Sequence, residues 1–155
     1  MRIATCLATL AVVCGLLVAS ASADTKPATP AAPAAPAAPV PSGPLKAYKG
    51  PEGEVIVMVE VNDSKQMLVY FKNIGGGIDG KSYLYLFDDQ GKGNKSVYLN
   101  KKRGSKTYQS FVLSARDNQW SFYHPTKPGT QFEITYSEKD SEKIKVEDVL
   151  AAYKP

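Results

Sequence analysis

Between Glu54 and Tyr136 the chain alternates its side chains with period two, in short runs separated by turns of only a few residues. Val55, Val57, Val59 and Val61 fall on one face of an extended segment, with Ile56, Met58 and Glu60 on the other. Runs of this kind at residues 55–61, 67–71, 83–87, 97–99, 108–115, 120–124 and 132–136 read as seven strands, bounded by Gly-, Asn- and Asp-containing turns. A parallel pair needs a crossover of a dozen or more residues, usually a helix, and these connections are too short to carry one. The strands must therefore pair as an antiparallel meander.

Such a sheet buries both faces only by closing or folding over, so the expected fold is mostly β. It is an up-and-down meander of seven to eight strands, as a small barrel or a two-sheet sandwich. Residues 143–145, with Ile144 between two lysines, suit an eighth, guarded edge strand. Val146, Val149, Leu150 and Tyr153 then recur at helical spacing, with Glu147 and Asp148 in the first turn where the helix dipole favours them. A short C-terminal helix that plugs or covers one end follows. Strands mostly of five to seven residues and a polar helical end fit a soluble barrel better than a lipid-facing one.

Upstream, composition changes twice. Met1-Arg2, an apolar run to Ala19 and the small residues to Ala23 read as a secretory signal peptide over residues 1–23, in preference to a retained anchor. A lipoprotein acylated at Cys14 fits less well, because Val13 stands where a small residue is expected. Residues 24–44 form a Pro/Ala-rich, disordered linker, with Ala-Ala-Pro three times in succession, which favours extended polyproline II. The remaining 45–155 make one globular domain exported to the periplasm or the outside. Both cysteines, Cys6 and Cys14, fall in the signal, so the exported chain has no thiol for a disulfide, a nucleophile or a metal site.

Three local patterns suggest chemistry. Gly75-Gly-Gly-Ile-Asp-Gly-Lys-Ser82 spells a phosphate-binding loop, but that motif needs a helix after the loop, and Ser82 to Phe87 alternates as a strand; no nucleotide is expected. Asp88 to Asn94 has the oxygens and glycines of a calcium loop without the spacing, so neither metal nor cofactor is assigned. His124, the single histidine, supports at most a small hydrolase working with a nearby hydroxyl or carboxylate, as an alternative reading.

Charge gives the stronger asymmetry. Residues 45–155 hold 17 Lys and Arg against 14 Asp and Glu, too even a balance to mark a nucleic-acid or membrane binder. Yet from Gly91 to Lys106 the bases Lys92, Lys95, Lys101, Lys102, Arg103 and Lys106 occur with no acid. Tyr98 and Tyr108 lie within or beside that run as stacking groups. These eight residues are the expected site of a non-enzymatic domain that binds an anionic polymer, a glycan or an acidic protein at the cell envelope. The same lysines also suit a solvated loop guarding a strand edge in a structural envelope component.

Overall fold

The computed structural model describes residues 37–155, and the expected signal peptide and the spacer up to residue 36 lie outside the described residues. Eight strands run in chain order: β1 (Lys46–Lys49), β2 (Val55–Val61), β3 (Gln66–Lys72), β4 (Lys81–Gly91), β5 (Asn94–Arg103), β6 (Lys106–Arg116), β7 (Gln119–Tyr123) and β8 (Gln131–Tyr136). Two short helices follow, α1 (Glu138–Lys143) and α2 (Val146–Ala151). Each strand pairs antiparallel with the next, and β1 pairs with β8, so the meander closes as a barrel rather than a sandwich.

The eighth strand is not residues 143–145 but β1, four residues too short to show alternation, which bridges β2 and β8 and closes the ring. The segment expected to be a strand instead ends α1 and links it to α2. Ser137 starts that helix: its hydroxyl accepts from the Asp140 N–H and donates to Asp140 Oδ2 at 2.6 Å. β4, β5 and β6 are 11, 10 and 11 residues long, well beyond the runs 83–87, 97–99 and 108–115 read from the sequence.

Cross-strand registers show what period two accomplishes. Phe87, Val97, Leu113, Phe122 and Phe132 are successive partners across five strands and point into the barrel. One residue along, Asp88, Ser96, Ser114, Ser121 and Glu133 form a second row facing outward. That row is polar where a lipid-facing band would be apolar.

β2 departs from this scheme. Ile56 and Met58 face the interior, but Val55, Val57, Val59 and Val61 are also buried, in a second cluster with Ala47, Leu68 and Val149. The helices therefore lie against the outer wall of β1 to β4 rather than at a barrel end. Ser82 ties them down, its hydroxyl donating to the Val149 carbonyl at 2.6 Å.

Turns alternate between the two ends, which differ. At one end the β3–β4 loop folds Ile74 and Ile78 into the core as a plug, touching the β7–β8 loop where Thr126 Oγ1 donates to the Gly76 carbonyl. At the other, residues 40–43 lie along the end of β2: Pro41 bridges Val61, and the Ser42 N–H donates to the Glu60 carbonyl at 2.8 Å. The chain thus enters the barrel at the end opposite the β5–β6 turn.

Candidate functional site

The β5–β6 hairpin outgrows its neighbours. β4 follows β5 only as far as the Leu86–Tyr98 pair, and β7 follows β6 only from the Leu113–Phe122 pair onward. Beyond these limits, among the described residues, 99–103 and 106–110 pair only with each other. Five residues past Tyr98, at about 3.3 Å each, carry the tip roughly 17 Å beyond that last pair. The turn is Gly104-Ser105, with Gly104 at φ 64°, the first central position where a type II′ hairpin turn calls for glycine.

At the root the register skips Val112, so that Val97 faces Leu113 while Tyr98 faces Phe111. Such a bulge bends a strand and increases its twist, which turns the ribbon out of the barrel wall. Val97, Val112 and Leu113 stay buried and anchor it, and the Tyr98 ring packs on Phe111 at 5.8 Å between centroids.

Directly opposed residues share a face of the ribbon. One face carries Leu99, the Lys101–Tyr108 pair and the Arg103–Lys106 pair; the other carries Tyr98 with Phe111, Asn100 with Gln109, and Lys102 with Thr107. Arg103 and Lys106 are like charges directly opposed, an arrangement that costs a ribbon stability. No acid relieves them: among the described residues the ion pairs are Lys49–Asp140 and Lys95–Asp89, and none of the four ribbon cations takes part. Leu99, Tyr108 and Phe111 are about 40 to 50 % exposed.

The structure thus gathers Lys101, Lys102, Arg103, Lys106 and Tyr108 on the ribbon, with Tyr98 half-buried at its base. Lys92 and Lys95 lie at the opposite end of β5. Lys92 sits in the β4–β5 turn, and Lys95 reaches Asp89 at 3.4 Å. The Gly91 N–H, more than Lys95, holds the Asp89 carboxyl below its ordinary value. Sequence reasoning passed over Leu99 and Phe111, which in a β pattern look like core. Counting pairs back from Gly104-Ser105 past the ends of β4 and β7 would have exposed them.

His124 lies in the opposite kind of setting. It is buried, its ring edge against Phe122, and Nδ1 accepts from the backbone N–H groups of Thr126 at 3.2 Å and Lys127 at 3.1 Å. The proton then belongs on Nε2, which has no hydrogen-bond partner among the described residues. Gly76 covers the ring so closely that a Cβ there would come within 2.6 Å of Cε1. The Thr126 hydroxyl stands 3.4 Å from Nδ1 but also donates to the Gly76 carbonyl. In this arrangement the imidazole organises the β7–β8 loop and packs under Gly76, while the Thr126 hydroxyl makes the bond between the two loops. The Gly75 to Ser82 segment is followed by β4, and Asp79 spends its carboxylate on the N–H groups of Ile74 and Gly75.

Comparison with protein families, with curated proteins and with solved structures returns no match.

Proposed function

We propose that this chain is an exported, non-enzymatic binding domain that uses its protruding β-ribbon to hold an anionic polymer at the cell envelope. The observation that carries the reading is the ribbon itself: a paired hairpin that leaves the barrel, buries nothing at its tip, and places beside Leu99, Tyr108 and Phe111 four cations that make no ion pair among the described residues. Opposed like charges at the tip cost stability and contribute nothing to the core, whereas an anionic ligand would turn them into charge-assisted contacts. The point of entry fits the same reading, because residues 40–43 join the barrel at the end opposite the ribbon.

Retention of the full chain on immobilised heparin tests this against a variant carrying Lys101→Glu, Lys102→Glu, Arg103→Glu and Lys106→Glu. The parent should be retained at low salt and released steeply as salt rises, since each neutralised charge frees counterions. The variant should pass through unretained with an unchanged circular dichroism spectrum. Co-elution of the two proteins would overturn the proposal.

A further inference from the structure

We propose a second binding site, for a neutral saccharide, in the barrel mouth at the end opposite the ribbon. The plugged end is closed by Ile74 and Ile78, but the connections at this end, residues 62–65, 92–93 and 117–118, carry no large apolar side chain to do the same. Of the inward-facing positions nearest this end, Met58, Met67 and Trp120 are buried, whereas Lys46, Lys95 and Tyr136 reach water along the rim. Lys46, Tyr48, Lys95, Gln119, Trp120 and Tyr136 line a cleft of ≈ 450 Å³ there, in the range of about 300 to 1,000 Å³ typical of small-molecule sites.

Three rings make its floor. Tyr48 meets Trp120 edge-on at 6.2 Å between centroids and Tyr136 at 5.9 Å, so the two outer rings are held by the middle one. Tyr48 and Trp120 are buried, whereas Tyr136 is 54 % exposed and presents a fixed ring to solvent. Burial raises the Tyr48 phenol above its ordinary value, against the opposing effect of a hydrogen bond with Trp120.

The polar lining defines the ligand. Lys95 is paired with Asp89, and Glu133, outward-facing on β8, offsets Lys46 from the outer rim of the cleft. A balanced site gives an anion no net attraction, unlike the ribbon. Gln119 and Lys46 are exposed in the lining, so the amide and the ammonium can serve a ligand rich in hydroxyls. An exposed aromatic face beside amide and ammonium donors is complementary to a pyranose ring, which offers one face of C–H groups and an equator of hydroxyls.

Trp120 is the only tryptophan of the chain, so its fluorescence reports on this cleft. The full chain is titrated with a neutral N-acetylglucosamine trimer and, separately, with a neutral glucose tetramer. A saturable change in emission is expected with at least one, insensitive to salt between about 50 and 500 mM, because no net charge is neutralised. Tyr136→Ala should weaken it by about ten-fold or more, while Tyr136→Phe retains it. The variant with four glutamates on the ribbon should bind as the parent does, which separates this site from the heparin-binding one. Flat titrations with both sugars would overturn the proposal, and so would binding that Tyr136→Ala leaves intact.

Discussion

β2 and the outer half of the β5–β6 hairpin are both antiparallel, both fully paired along a ladder, and opposite in everything else. Every residue of β2 except Glu60 is buried, with the barrel interior on one side and the helices on the other. From Leu99 to Phe111 the hairpin has only Ser110 partly covered. Backbone pairing is common to both, so pairing does not distinguish a stable wall from a free ribbon; the layers on either face do. A two-stranded ribbon is at best marginally stable alone, and this one persists because Val97, Val112 and Leu113 root it in the core. Stability is therefore concentrated in the wall and the interior, which leaves the ribbon free to carry charge.

The severest test of that division is Phe122→Ala. Phe122 is wholly buried in the inner row, against Phe71 at 5.9 Å and Phe132 at 4.9 Å. Its loss should cost about 3 to 5 kcal/mol, read as a lower urea midpoint at unchanged slope. A cost below about 1 kcal/mol would mean that the interior is loosely filled and that burial is not what sets the two regions apart. Val149→Ala probes the outer layer: this wholly buried side chain covers the valine face of β2, and removing two methyls should cost about 2 kcal/mol. A neutral result would show that the helices merely rest on the wall.

Much of the wall was legible in the sequence, because alternation reports which residues share a face, and helical spacing found α2. What the sequence concealed depended on partners. β1 is only four residues long and is defined by the two strands it joins. Where the helix docks cannot be read from its own stripe. The decisive clue was the second row of valines in β2, since a strand apolar on both faces needs cover on both. At the candidate site the run of bases was visible by counting, but Lys101, Lys102 and Arg103 read as turn because lysine is a poor strand former. Their projection follows from where β4 and β7 stop pairing, a property of neighbours. The cleft likewise depends on β1 and β8 bringing Tyr48 beside Tyr136.

A smaller effect marks where the wall meets solvent. The Ser137 hydroxyl, and after it Lys49 at 3.2 Å, hold the Asp140 carboxyl below its ordinary value of 3.8. A depressed carboxylate stabilises the fold while it is ionised; that contribution is present above the unfolded value and is lost as pH falls through the folded one. Asp140→Asn should therefore lower the urea midpoint slightly at about pH 7, with the gap to the parent closing as pH drops below about 4. A gap of constant size would assign the loss to the helix cap itself rather than to charge.

The smallest expected effect on stability is also the sharpest for the comparison, and it comes from shortening the ribbon. Arg103 and Lys106 flank the Gly104-Ser105 turn as directly opposed partners, and Leu99 and Ser110 are a pair of the same kind four residues further down the ladder. Because side-chain direction and pair type repeat every two residues, deleting residues 100–103 and 106–109 rejoins the strands in the same register with the same turn. Leu99 and Ser110 then flank Gly104-Ser105. None of the excised side chains is buried, so the urea midpoint should stay within about 0.5 kcal/mol of the parent's. Heparin retention should disappear with the four cations, and the response of Trp120 to sugar should be untouched. If the shortened protein instead unfolds at markedly lower urea, the ribbon is part of what holds the barrel together, and the separation between a buried wall that carries stability and an exposed arm that carries charge does not hold.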